Sequence, residues 1–352
     1  MTTAFTQLLL QWNKTSNDRP MPWKGESDPY KIWLSEIILQ QTRVEQGWAY
    51  YEKFVKKYPT IFQLAKAKDE QVFKLWEGLG YYNRCRNLLH TARFIVKQHK
   101  GAFPKTYDEL LALKGIGPYT AAAIASFAFN LPHAVVDGNV FRVFSRYYGI
   151  SLPIDTSEGV KYFNQVADEN LAVKTAGIYN QALMDFGATV CKPLAPLCSA
   201  CVLQKTCVAF ATNQINLLPI KLKQIQKKKR QFDFFIFNFN ENYLIQKRGV
   251  EDIWAGLYQF YLVQNGSMPK DNAVYLKQVL QQQLGIAKKD LVQTSISKTV
   301  NQLLTHQQLT IRFIQVVLKS KPAALSKALW VPKNKLQAYP FPKLIVDFIS
   351  QL

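Results

Sequence analysis

The sequence is short of acidic residues and of long apolar runs, and each shortage narrows the functions it can have. Asp and Glu number 24 against 44 Lys and Arg, a formal charge of +20 with only four histidines, so an attraction to polyanions is implied and nucleic acid is the expected one. No uninterrupted apolar stretch reaches the roughly 18 residues of a membrane helix, so no membrane partner is expected. The opening MTTAFTQLLLQWNKTSNDRP has neither a basic leader nor a small-residue cleavage site, which points to a cytoplasmic chain. Walker-type phosphate loops, internal repeats and low-complexity tracts beyond one short lysine run are missing, and with them any support for a motor or a kinase.

What is present is apolar enough to fold, at 48% of 352 residues, and long enough for two domains. Up to about Phe210 the apolar residues recur near every 3.6 positions, as in Ile32, Trp33, Ile37, Val44 and Trp48 and again in QVFKLWEGL and IYNQALMDFG. That half is predicted to be all-α, over 1–211. TNQINLLPIKLKQIQKKKRQ has a Lys/Arg run and no period, which predicts a basic connector over 212–230. Beyond it FDFFIFNFN and LTIRFIQVVL are dense in β-branched and aromatic residues, and NFNENY has the composition of a hairpin turn. The second domain, 231–352, is therefore predicted to be α+β.

Four of the five cysteines, Cys191, Cys198, Cys201 and Cys207, follow C-x6-C-x2-C-x5-C, close enough in sequence for four thiolates to converge on one centre. Disulfides and tetrahedral zinc would also accept this set, although clustered cysteines in an intracellular chain more often bind metal. Cys85 is expected to be a core residue. In LKGIGPYTAAAIASFAF, Gly115 and Gly117 separate two helical patterns and Pro118 suits a first helical turn. This helix-hairpin-helix pattern can leave backbone N–H groups facing a phosphate oxygen, or can simply be a turn.

Two acids stand out. Glu36 lies in IWLSEIILQQT with Ile32, Trp33, Leu39 and Gln40 one turn away: either it is an ordinary surface glutamate on a polar stripe, or this apolar setting raises its pKa until it can protonate a purine ring nitrogen. Asp137 lies in AVVDGNVFRVF, between an apolar run and a helical stripe, where it can cap the helix or act as a fixed anion that stabilises an oxocarbenium-like sugar.

Taken together, PWK, DPYKIWLSEIILQQTRV, WEGLGYYNRCRNL, LKGIGPYTAAAIASFAF, VDGNVFRV and the cysteine loop resemble the adenine DNA glycosylase (MutY) family of the endonuclease III superfamily, from about Pro22 onward. The resemblance implies an all-α helix-hairpin-helix glycosylase domain with an iron-sulfur loop, plus a C-terminal α+β Nudix-like domain. It implies a [4Fe-4S] cluster on Cys191, Cys198, Cys201 and Cys207, with Glu36 as the acid and later the water-activating base, and Asp137 as the stabiliser of the sugar cation. Asn139 and Tyr119 would support these carboxylates. Trp23, Lys24, Gly115 and Gly117 would contact DNA, and Gln41, Thr42, Leu79 and Tyr81 would probe the space beside a flipped nucleotide. Leu304, Thr305 and His306 would face 8-oxoguanine.

The implied activity is hydrolysis of the N-glycosidic bond of adenine mispaired with 8-oxoguanine or guanine in double-stranded DNA. The implied chain is a bacterial, nucleoid-associated monomer. Relatives that also nick DNA carry a lysine where this chain has Tyr119, and a phenol cannot form a Schiff base, so an abasic site is the expected product. LKQVLQQQLGI has glutamines where a Nudix box needs glutamates, which argues against nucleotide hydrolysis. Two departures from the family are Lys24 in place of arginine, and Leu304-Thr305 in place of Phe-Ser. The rival readings are a lyase acting on oxidised pyrimidines, which Tyr119 opposes, and a cluster-bearing DNA-binding protein without catalysis, which Glu36 and Asp137 oppose.

Overall fold

A computed structural model describes residues 3–223, 226–249, 251–265, 269, 271–325 and 328–352. The chain divides into two compact units, the first Met1–Ala67 with Arg84–Lys223 and the second Lys68–Asn83 with Gln224–Leu352.

The helices up to the connector are α1 (Ala4–Ser16), α2 (Pro29–Leu39), α3 (Val44–Lys57), α4 (Ile61–Lys66), α5 (Asp69–Trp76), α6 (Tyr82–His99), α7 (Tyr107–Leu111), α8 (Pro118–Phe129), α9 (Gly138–Tyr148), α10 (Ser157–Asn170), α11 (Ala176–Thr189) and α12 (Val208–Ala211). Their starts are written in the sequence. Asp28, Thr60, Thr106, Asp137 and Thr156 each accept an N–H from the first turn, and Pro29 and Pro118 sit where a missing N–H costs nothing. Two of these helices are apolar on nearly every face, α2 with eight buried residues and α8 with seven, and they pack on each other. A second cluster gathers Phe5, Leu9 and Trp12 of α1 around Phe144 of α9 and Phe186 of α11, with Trp12 edge-on to Phe186 at 4.9 Å.

Among the described residues the second unit holds a mixed sheet of eight strands, β1 (Lys228–Phe239), β2 (Asn242–Lys247), β3 (Tyr258–Gln259), β4 (Tyr261–Asn265), β5 (Leu291–Ile296), β6 (Val300–Leu303), β7 (Gln307–Leu318) and β8 (Leu329–Pro332). Long β1 and β7 run parallel at its centre and the other pairings are antiparallel. The expected hairpin is there. Asn238 pairs with Tyr243 across a two-residue turn in which Asn240 and Glu241 have φ of 48° and 57°, the backbone that joins twisted strands without splaying them. β1 begins at Lys228, inside the stretch expected to be connector.

Burial of both faces of β1 follows from its near-continuous apolar run. Phe232, Phe234 and Ile236 enter one core with Leu344 and Ile345 of helix α14 (Lys343–Ile349), while Phe235 and Phe237 enter another. That second core contains Tyr275 of α13 (Asn272–Lys277) and Val279 and Leu280 of the π-helical turn that continues it. Segment 68–83 groups with this unit through Lys247–Glu70 at 2.7 Å and the Phe341 N–H donating to Glu77 Oε1 at 2.9 Å.

Candidate active site

Glu36 is 6% exposed on α2 and lines a cavity of about 330 Å³ with Trp23, Lys24, Ser35 and Gln181. Burial pushes its carboxyl from an ordinary 4.5 up to about 7, the Tyr119 hydroxyl opposes that rise by hydrogen bonding to it, and the nearby charge of Asp137 adds to it. Tyr119, in the first turn of α8, is itself held far above the usual phenol range, first by burial and then by the charges of Glu36 and Asp137. The structure therefore brings Glu36, Tyr119 and Asp137 into one electrostatic group, although Asp137 and Tyr119 are not in the cavity wall that Glu36 shares with Trp23.

Asp137 caps α9. One oxygen accepts the N–H groups of Asn139 and Val140 at 2.8 Å each, and the other accepts Asn139 Nδ2 at 2.6 Å. Burial pushes its carboxyl up, against these three donors and the charge of Arg142. Asn139 Oδ1 in turn accepts from Arg142 Nη2 at 2.8 Å, and Arg142 Nε donates to the Cys191 carbonyl at 2.7 Å. A continuous hydrogen-bonded path thus runs from the carboxylate to the cysteine loop. Arg142, whose role the sequence reading missed, has its signal in VDGNVFRV: it lies three and five residues beyond Asn139 and Asp137, one helical turn on.

Asp185 was also missed. It is fully buried and holds Arg19 at 2.9 Å and Lys24 at 3.2 Å, while Asn17 and Gln181 each donate to it at 2.9 Å. These bonds fix Lys24 and Gln181, two of the walls around Glu36. Removing Asp185 would release both cations and Gln181 from the acceptor that orients them. Its signal is an acid in the otherwise apolar stretch ALMDFG. Trp23 is buried edge-on against Tyr51 at 5.3 Å.

In the hairpin between α7 and α8, Gly115 has φ +82°, and a Cβ there would lie 2.6 Å from Asn87 Cβ, so both conformation and space demand glycine. Gly117 caps α8 without a side-chain acceptor, which leaves first-turn N–H groups open to an anion. Gln41 is exposed, with φ 56°. The Thr42 hydroxyl accepts from Arg84 Nη2 at 3.2 Å, and Arg84 Nη1 donates to the carbonyls of Ile37, Ile38 and Gln40, satisfying the end of α2. In the second unit Leu79 is buried, while Tyr81 is exposed and shares a short hydrogen bond with the Thr305 hydroxyl. His306 is exposed in the turn between β6 and β7.

Cys191, Cys198, Cys201 and Cys207 line one cavity with Arg146, Leu197 and Leu203, and Cys85 is buried in the core. Burial, reinforced by the neighbouring sulfurs, pushes up the thiols of Cys198, Cys201 and Cys207, that of Cys201 to about 11. Thiolates so placed require compensating positive charge. Among the described residues no group of three or more His, Cys, Asp or Glu is set to hold a single metal ion. Among them also, no helix is long and apolar enough to cross a membrane.

Residues 34–165 match the model of the HhH-GPD superfamily base excision DNA repair proteins, and residues 234–351 match that of the NUDIX domain. The chain is 32% identical to an adenine DNA glycosylase of Buchnera aphidicola subsp. Baizongia pistaciae over 100% of its own length and 97% of that protein. It is 35% identical to one of Buchnera aphidicola subsp. Acyrthosiphon pisum over 73% of each, and 40% identical to the human adenine DNA glycosylase over 59% of this chain and 39% of that one. Among solved structures, a thermostable thymine-DNA glycosylase aligns at TM-score 0.55 and 31% identity, covering 59% of this chain and 95% of its own. An endonuclease III–DNA complex, at TM-score 0.52 and 23% identity over 60% of this chain and 99% of its own, shares the fold. With both domains matched in order and a relative aligned from end to end, the chain belongs to the adenine DNA glycosylase family.

Proposed function

We propose that the chain, acting as a monomer on duplex DNA, hydrolyses the N-glycosidic bond of adenine mispaired with 8-oxoguanine or guanine and leaves an abasic site. The observation that carries this reading is a buried carboxyl with a pKa near 7 at the wall of a cavity, beside a second carboxylate rich in N–H donors. Neutral Glu36 donates its proton to a ring nitrogen of the flipped adenine, which makes the base a better leaving group. As the C–N bond breaks, the sugar gains positive charge, and the carboxylate form of Asp137, which its three donors and Arg142 favour against burial, stabilises it. Glu36, now ionised, takes a proton from water as the water adds to the sugar, which completes hydrolysis and restores the acid. Tyr119 offers a phenol where a lyase would need an amine, so the strand stays intact.

The open N–H groups at Gly117 and the start of α8 would bind backbone phosphate, with Gly115 shaping the turn, and Trp23, Lys24, Gln41, Thr42, Leu79 and Tyr81 would meet the rest of the duplex. Thr305 and His306 would face the base opposite the adenine. Cys191, Cys198, Cys201 and Cys207 would hold a [4Fe-4S] cluster: the four thiols line one cavity, and thiolates are the ligands such a cluster takes. When bound, the cluster supplies positive charge to the thiolates and ties the loop together.

The test is a duplex with one adenine opposite 8-oxoguanine, treated with enzyme and then with alkali to cut any abasic site. Wild-type protein should release adenine and leave the strand whole until alkali is added, and Glu36→Gln should release none. Wild-type protein that binds the duplex yet frees no base would overturn the proposal.

A further inference from the structure

The turn between β6 and β7 is braced by an ion-pair cluster that neither the acid pair nor the cysteine loop uses. On β1, Arg230 Nη1 donates to Asp252 Oδ1 at 2.7 Å and to Gln307 Oε1 at 3.1 Å. Its Nη2 donates to Asp252 Oδ2 at 2.7 Å and to Gln264 Oε1 at 2.8 Å. The guanidinium carbon stands 4.8 Å from the centre of the Phe232 ring. Asp252 is gripped a second time by Arg248 Nη2 at 2.7 Å, and Arg248 is 8% exposed against the Phe232 and Trp254 rings. The two guanidiniums hold the Asp252 carboxyl down at about 2, so the clamp stays charged throughout the working pH range. A planar fork engaged on both prongs and stacked on a ring has little freedom left.

Gln307 is where this clamp meets the turn. Its amide oxygen is taken by Arg230, which fixes the way the amide faces. The turn backbone is pinned by the Leu304 N–H on the Gln307 carbonyl at 2.8 Å and by the Lys228 N–H on the His306 carbonyl at 3.0 Å. The Thr305 hydroxyl is engaged by Tyr81. Guanine and its 8-oxo form differ by one carbonyl and one ring N–H, so telling them apart depends on how well a few polar atoms are placed.

We infer that Arg230, held by Asp252, is a positioning residue for the Leu304–Gln307 turn and thereby sets the preference for 8-oxoguanine over guanine opposite the adenine. The inference rests on the proposed reading of Thr305 and His306 as the residues that face that base.

The experiment measures adenine release by the full, cluster-loaded chain in single turnovers, at limiting and saturating enzyme, on duplexes that differ only in 8-oxoguanine or guanine opposite adenine. Arg230→Met should lower the preference for the 8-oxoguanine duplex by about three- to tenfold, the yield of one or two lost hydrogen bonds. The loss should fall mainly on half-saturating concentration, with the saturated rate nearly unchanged. Arg230→Lys should not restore the preference, because one ammonium cannot serve both Asp252 oxygens and Gln307. Full rescue by lysine would mean that only charge mattered, and an equal loss on both duplexes would mean that the clamp does not set the preference; either result would overturn the inference.

Gln307→Met leaves the ion pairs whole and carries the test should Arg230→Met fail to fold. A folded Gln307→Met protein with unchanged preference also overturns it. A Thr305→Ala/His306→Ala double variant separates the two levels. If it leaves the preference intact, the reading of the turn itself fails. If it lowers the preference while the Arg230 and Gln307 variants do not, only the positioning role fails.

Discussion

Glu36→Gln should make the protein more stable while abolishing its activity, and the gain should depend on pH in a way the structure specifies. In the unfolded chain the carboxyl titrates near its ordinary 4.5, whereas in the folded protein burial holds it at about 7. Between these values the folded state binds more protons than the unfolded one, so the group's contribution to stability is present in full below pH 4.5 and falls as pH rises to about 7. At 1.36 kcal/mol per pKa unit the loss reaches about 3 kcal/mol above neutrality. Glutamine cannot ionise, fills nearly the same space and avoids this loss. Urea denaturation of both proteins at a series of pH values should show curves close together in mild acid, with the variant more stable by roughly 2–3 kcal/mol at pH 8. A difference that does not change with pH would refute the claim that Glu36 is held neutral by burial.

Other expectations follow from the same group of residues. Tyr119→Phe removes a hydrogen bond that favours ionised Glu36, so the pH above which base release declines should move upward, as a rate–pH profile would show. Arg142→Met cuts the path from Asp137 through Asn139 to the Cys191 carbonyl; base release in single turnovers should fall by about 10- to 100-fold, with duplex affinity nearly unchanged. Gly115→Ala puts a Cβ against Asn87 in a left-handed backbone, which should weaken binding to any duplex regardless of sequence and flatten the salt dependence measured by fluorescence anisotropy.

Features carried by local chemistry were the legible ones. The starts of α2 and α8 at Pro29 and Pro118, the glycine hairpin, the Asp137 cap and the Asn240–Glu241 turn all follow from residues within a few positions of one another. The two central strands were equally plain, since five of the seven consecutive buried residues in β1 are Phe or Ile. Less legible was whatever depends on pairing distant segments. A helical period identifies α5 but not the body it packs against, and bonds from this segment to Lys247, Tyr339 and Phe341 place it with the sheet.

Asp185 and Arg142 escaped notice for the same reason. Each resembles a stray charge in an apolar helix until the chain folds and Arg19, Lys24, Asn139 and the Cys191 carbonyl arrive from elsewhere. Lys24 illustrates the gain. Asp185 holds it at the cavity wall beside Glu36.

The most direct test of the account is the pH dependence of adenine release in single turnovers by the wild-type protein on a duplex with adenine opposite 8-oxoguanine. The account predicts a rate that is flat in mild acid and declines through one inflection near pH 7, where the Glu36 proton is lost. A rate that climbs through neutrality, or an inflection down at the ordinary carboxylate value near 4.5, would contradict it.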